Sequence, residues 1–295
     1  MFLLKGRTKK IAKTSKNAIL LALIGGIFME KIIVLGTGNA TVKNCYNTCF
    51  ALKNKDEYFL VDAGGGNQIL HQLDQKQIQL EQIHHLFVTH EHTDHLLGVI
   101  WVIRMIATKI NQGKYQGNLM IYAHTQLVQT IKTICNLTLQ KKLTKWFDDR
   151  IVFVALNDGD QHTILGQTFT FFDILSTKAK QFGFTFVNAN QKIVFTGDEP
   201  FNPDCDLYVK GANWLLSEAF CLYDQRDEFK PYEKHHSTAL DAAILASKLG
   251  VDHLILWHTE EKNLKNRKEL YIKEAKQKFN GKIYVPDDLE EIDLC

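Results

Sequence analysis

The chain has 295 residues, 45% hydrophobic and 23% charged, with only four prolines and a formal net charge of +2. That balance excludes a disordered or fibrous chain and gives enough length for one large α/β domain. The weak positive charge neither requires nor excludes a nucleic-acid partner, because a local basic patch can hide in a near-neutral total.

The first 28 residues read apart from the rest. Lys5, Arg7, Lys9, Lys10, Lys13 and Lys16 precede an apolar run from Ala18 to Phe28. This resembles the basic and apolar regions of a signal peptide, yet the run is too short for a spanning helix and no A-x-A site follows it. We expect residues 1–28 to be an upstream extension and residues 29–295 to form the domain. The extension leaves two alternatives open: a weak tether to a membrane surface, or export. The expected location is the cytoplasm. The six cysteines are scattered without C-x-x-C spacing, so reduced structural thiols are expected, and Cys45 and Cys49 lack the partner pair of a zinc finger.

Short apolar runs bounded by turn residues predict strands at Ile32–Leu35, Asn47–Leu52 and Tyr58–Val61, then a helix over Gln68–Leu80. A buried strand is predicted at Leu86–Thr89 and a helix at Leu96–Ile110. Further strands are expected at Leu119–Ala123, Ile151–Ala155, Thr168–Leu175 and Trp214–Ala219, with a hairpin of Phe182–Asn188 and Lys192–Thr196. Gln126–Leu139 and Thr238–Leu249 read as helices, Leu254–Trp257 as a strand, Asn263–Phe279 as a helix and Ile283–Val285 as a last strand. The expected class is α/β with two packed sheets.

The strongest signal is His90-Glu91-His92-Thr93-Asp94-His95 just past an apolar strand. Neutral imidazoles and a carboxylate crowded there suit zinc, with manganese or iron as alternatives, better than calcium or magnesium. Other features are weaker. A Gly-Asp pair such as Gly197-Asp198, taken alone, is most often a turn, and a histidine after an apolar strand, such as His258, is structural about as often as not. Gly64-Gly65-Gly66 lacks the lysine and hydroxyl of a P-loop. Lys141, Lys142, Lys145 and Arg150 with Trp146 and Phe147 form a basic-aromatic stretch, and Lys262, Lys265, Arg267 and Lys268 a second basic cluster. Both are read first as solvated helix faces and second as nucleic-acid contacts.

Together these motifs resemble the metallo-β-lactamase-fold hydrolases, and within them the ribonuclease Z-like branch. The resemblance runs from about Glu30 to the C-terminus. It rests on Leu35-Gly36-Thr37-Gly38, Val61-Asp62-Ala63-Gly64, Thr89 to His95, Phe195-Thr196-Gly197-Asp198 and Leu256-Trp257-His258. It implies an αββα sandwich of two mixed sheets and a zinc-dependent hydrolase. By the resemblance, His90 and His92 hold a first metal, Asp94, His95 and His258 a second, Asp198 bridges them, and Asp62 supports the metal loop. Asp94 also orients the attacking hydroxide. His236, in His235-His236-Ser237-Thr238, is the implied general acid.

One departure stands out. The family carries a further first-metal histidine near the end of a strand between the signature motif and the bridging aspartate, and Leu175 stands there. His124 and His162 are the remaining candidates by chain position, each more plausible as an ordinary structural histidine. The implied substrate is RNA, with a small phosphodiester or another ester as the alternative. The chain lacks an obvious Gly/Pro-rich arm, and Leu256-Trp257-His258-Thr259-Glu260 departs from the usual ribonuclease Z ending. A degenerate, non-catalytic metal-binding protein is the second reading. A homodimer is left open.

Overall fold

A computed structural model describes residues 28–294. The expected basic and apolar extension lies outside the described residues, save for Phe28. Two seven-stranded sheets pack face to face. The first runs β14-β1-β2-β3-β4-β5-β6, from β1 (Lys31–Gly36), β2 (Cys49–Asn54), β3 (Glu57–Val61), β4 (Ile83–Phe87), β5 (Leu119–His124), β6 (Ile151–Leu156) and β14 (Glu291–Asp293). The second runs β13-β12-β11-β10-β9-β8-β7, from β7 (Gln161–Ile164), β8 (Gln167–Asp173), β9 (Phe182–Asn188), β10 (Gln191–Phe195), β11 (Trp214–Glu218), β12 (His253–Trp257) and β13 (Lys282–Tyr284).

Each sheet begins as an antiparallel meander and ends in parallel strands. In the first sheet β3, β4, β5 and β6 are parallel, and in the second β10, β11, β12 and β13. Parallel strands need helical crossovers, and these cover the outer faces. Helices α1 (Gln68–Gln75), α2 (Thr93–Asn111) and α3 (Thr125–Thr138) pack on the first sheet; α4 (Ala239–Leu249) and α5 (Arg267–Ala275) pack on the second. The result is the expected αββα sandwich.

Between the sheets lies an aromatic layer that explains the phenylalanine-rich strands. Phe59, Phe169 and Phe184 meet at centroid separations of 5.1–6.0 Å, and Phe50 stacks on Trp257 at 4.8 Å. This layer fixes the register of the facing strands, since a one-residue slip would turn it outward.

The predicted elements hold with shifted ends. Gln77 at φ 56 ends α1 early, and α5 is shorter than expected. β7 and β14 were absent from the prediction because both are edge strands of mixed polarity, with half or fewer of their residues buried. The shift that bears on the site is at α2, which begins at Thr93 rather than Leu96. Asp94 and His95 therefore sit in the first helical turn, with His92 as the residue preceding it.

Among the described residues no helix is long and apolar enough to cross a membrane. The five described cysteines are free thiols, and no candidate metal cluster among the described residues contains one.

One half-buried titratable group off the metal loop gives a measurable pH effect. His85, on β4, stacks on Tyr122 and lies 3.0 Å from its hydroxyl. Burial, then the neighbouring His84, lowers its pKa from 6.5 to about 4. The unfolded chain takes the proton more readily, so this stabilising contribution is complete above about pH 6.5 and is lost as pH falls towards 4. The loss is about 2 kcal/mol after allowance for partial exposure. His85→Gln should flatten the stability profile between those pH values by that amount; an unchanged profile in denaturant titrations would refute it.

Candidate metal centre

The centre forms where the parallel strands of both sheets end. β4 delivers Thr89, His90 and His92 through a short loop, and α2 carries Asp94 and His95 in its first turn. β10 leads to Asp198 and β12 to His258 across the sandwich. His258 has a positive φ of 57 and is buried, as is Asp62 at φ 54. Non-glycine residues in this region are strained, and such strain is stored where the surroundings fix a side chain for a purpose. Gly197, at φ 77, admits no side chain because an added Cβ would strike Gln181 Oε1 at 1.9 Å.

Four side-chain atoms converge on one point. His95 Nε2 lies 3.3 Å from Asp94 Oδ2 and 3.5 Å from Asp198 Oδ2. His258 Nε2 lies 3.6 Å from each of the same two oxygens. Ligand bonds of about 2.0–2.1 Å in a tetrahedron set ligand atoms roughly 3.3 Å apart. The two imidazole nitrogens are buried without hydrogen-bond partners. Orphaned buried nitrogens beside two carboxylates fit a divalent cation of the zinc type.

The atoms behind the ligands fix their orientation. Asp62 accepts from the Thr89 amide and hydroxyl, each at 2.8 Å, and from His95 Nδ1 at 2.8 Å. The proton is thus held on Nδ1, and Nε2 faces the centre. Gln181 donates to Asp198 Oδ1 and accepts from the Asp198 amide at 2.9 Å. Oδ2 is left for the cation. Burial alone would lower the His95 pKa, but Asp94, Asp62 and Asp198 hold it well above the ordinary value. A proton there stands in for a metal. Metal entry must displace it, so affinity should rise with pH through the neutral range, with release of about one proton per ion near pH 7. Zinc titration calorimetry in buffers of different ionisation heat reads this; release near zero refutes it.

The other half is thinner. His90 Nε2 lies 3.5 Å from Asp198 Oδ2 and 2.8 Å from His92 Nδ1. Leu175 adds nothing to it. It is 45% exposed at φ 57, its amide donates to Asp173 Oδ1 at 2.9 Å, and it lines an adjoining cavity with Phe201, Tyr232, His235 and His236. Neither alternative histidine replaces it. His124 caps α3 by accepting from the Leu127 amide at 3.3 Å, and His162 packs against Tyr122 and Phe171 in the sandwich.

His236 stands beside the ligands on the loop before α4. Its ring stacks on Phe220 at 4.8 Å, and Nδ1 lies 2.9 Å from the Asp198 carbonyl and 3.6 Å from Glu218 Oε2. The carbonyl can only accept, so Nδ1 carries a proton and Nε2 faces a cavity of about 250 Å³ that also contains His92, Asp94, Asp198 and His258. Glu218 is wholly buried and accepts from the Ser237 amide at 2.7 Å. Sequence reasoning missed Glu218, Gln181 and Lys178. A carboxylate inside the apolar strand Trp214–Ala219 was the available signal for the first; the others carry none.

Within the basic clusters the arginines brace the fold, while Lys141, Lys142, Lys145 and Lys265 are exposed, as a solvated face requires. Arg150 donates to the Gly117 and Tyr115 carbonyls, and Trp146 to Asn111. Arg267 is only 1% exposed; it donates to Thr37, Thr259, the Pro286 carbonyl and Asp287. That corrects its reading as part of a solvated face. Lys262 pairs with Glu228, and Lys268 with Asp287 and Glu290.

Gly98 lets α2 sit against the Asp62 loop, its amide donating to the Gly64 carbonyl at 2.8 Å. An added Cβ would lie 1.7 Å from the Ala63 carbonyl oxygen. Gly98→Ala should cost about 3 kcal/mol and displace Asp94 and His95 together; wild-type stability in thermal or urea unfolding would refute this.

Known proteins share this architecture. The chain is 22% identical to a ribonuclease Z of Bacteroides fragilis, over 88% of this chain and 99% of that one. Its fold matches the metallo-β-lactamase fold protein YhfI of Bacillus subtilis with a TM-score of 0.72 and 20% identity, covering 89% of this chain and 98% of YhfI. Human tRNase Z, short form, matches with a TM-score of 0.67 and 21% identity, covering 90% and 99%. A family model described as anti-Pycsar protein Apyc1 matches residues 30–237, which span the histidine run, Asp198 and His236. The chain belongs to the anti-Pycsar protein Apyc1 family, on the metallo-β-lactamase fold it shares with ribonuclease Z.

Proposed function

We propose that this chain, a metal-dependent hydrolase, cleaves phosphodiesters with zinc as its ion. The observation that carries this is the pairing of the His95 and His258 imidazoles with the Asp94 and Asp198 carboxylates at 3.3–3.6 Å, beside an imidazole whose Nε2 opens on the same cavity. A divalent ion held there supplies Lewis acidity to a phosphoryl oxygen and makes a water more acidic at neutral pH. The protein's own groups supply the rest. Asp62 and Gln181 hold the ligands in position. Asp94 is placed to orient the attacking water as well as the ion. His236 keeps its Nδ1 proton on the Asp198 carbonyl, so when the ring is doubly protonated it is the Nε2 proton that passes to the leaving oxygen. Glu218 stabilises the imidazolium from behind.

The small cavity favours a small phosphodiester over a long RNA. Free buried thiols fit a reducing compartment and hence the cytoplasm. The test reconstitutes the stripped protein with zinc, manganese or iron. It then follows bis-p-nitrophenyl phosphate, p-nitrophenyl acetate and a precursor transfer RNA. Zinc-dependent turnover of the diester is expected; cleavage of the acetate alone would sink the phosphodiesterase reading.

A further inference from the structure

We propose that this chain works with a single resident divalent ion, and that the ammonium of Lys178, with Lys234 beside it, holds the substrate phosphate in the same cavity as His92. The inference rests on the phosphodiesterase reading and deepens it.

Three observations carry it. First, the ligand sets that converge are His90, His95 and Asp198; Asp94, His95 and His258; and Glu218, His236 and His258; none among the described residues includes His92. With Leu175 turned away, the His92 half offers an ion only His90, His92 and the shared Asp198 oxygen.

Second, the charge is of the wrong sign for one ion alone. Asp62, Asp94 and Asp198 all touch the imidazole of His95, and Glu218 lies behind His236. One divalent ion leaves these four carboxylates net negative, which repels a phosphodiester monoanion. Two ions would cancel that charge, and so would one ion with two ammonium groups.

Third, those groups are present. The segment after Leu175 brings Lys178 over the cavity, with Nζ 3.3 Å from His236 Nε2. Lys234 lines the same cavity and sits 5.1 Å above the Phe220 ring that supports His236. A phosphate oxygen entering here meets Lys178 with charge-assisted geometry next to the imidazole that faces the leaving oxygen. The loss of a ligand at position 175 and the gain of a cation at position 178 are thus two parts of one arrangement.

Elemental analysis of the zinc-loaded, desalted full chain should give one ion, and Leu175→His should give two. Lys178→Met should keep the zinc content and thermal midpoint of the parent. It should weaken binding of inorganic phosphate, measured by calorimetry, about ten-fold, and raise KM for bis-p-nitrophenyl phosphate similarly with a smaller change in kcat. Lys178→Arg should restore most of both. Two zinc ions in the parent chain, or unchanged phosphate affinity and KM in Lys178→Met, would overturn the inference. If the parent cleaves no phosphodiester but binds phosphate through Lys178, the proposed function fails and this inference stands. If it turns over and Lys178→Met is indifferent, this inference alone fails.

Discussion

Asp198→Ala should lower zinc affinity by at least about 100-fold and turnover by at least about 1000-fold. Asp198 Oδ2 is the one oxygen that faces His90, His95 and His258 together, at 3.5, 3.5 and 3.6 Å. Its pKa lies well below the ordinary carboxylate value: burial opposes this, but His90, His95 and His258 prevail. It is therefore charged at every working pH, and no neighbour can take its place because Gln181 already occupies Oδ1. Asp198→Asn keeps the shape and the Gln181 contacts but loses the charge, so it should fall between parent and alanine. His92→Ala should cost less zinc affinity than either, since His92 joins none of the converging ligand sets among the described residues. Equal zinc affinity in Asp198→Ala and the parent, read by competition with a chromophoric chelator, would remove Asp198 from the centre.

His236→Ala gives the second large effect, and its size should depend on the leaving group. The imidazole touches the Asp198 carbonyl through Nδ1 and presents Nε2 to the cavity, which places it for proton delivery. General-acid help is worth roughly 100- to 10,000-fold when the leaving group needs a proton. p-Nitrophenolate leaves without one. The variant should therefore lose little on bis-p-nitrophenyl phosphate and about 1000-fold on a dialkyl-type phosphodiester such as a dinucleotide. Zinc content should not change. Glu218→Gln should show the same leaving-group pattern at roughly a tenth of that loss, because it acts only through the imidazole. An equal loss on both substrates would indicate that His236 has a structural role instead.

The structure also shows why the variants read cleanly. The centre draws on four chain segments: the loop after β4 with the start of α2, and the ends of β10, β11 and β12. Each is anchored by packing beneath it. A polar substitution at the cavity therefore leaves the aromatic layer between the sheets intact, whereas Gly98→Ala acts on the anchor itself.

By itself the sequence determined the sandwich and offered candidate ligands. Alternating and continuous apolar runs specify strands by their period, and the histidine run places imidazoles and a carboxylate in one short stretch whatever the rest of the chain does. Leu175 too was legible as a missing donor, because leucine has no lone pair to give. Only the tertiary structure decided which atoms meet. Asp94, Asp198 and His258 lie far apart in the chain, and their approach to 3.6 Å depends on how two sheets stack. Glu218 and Gln181 carry no motif, since their roles exist only through the side chains they touch. Arg267 looked like a surface charge because composition cannot register burial, and the packing of α5 turned it inward. The same physics decided the centre's asymmetry: the residue identity at position 175 removes a ligand, but it takes the fold to bring Lys178 over the cavity beside His236.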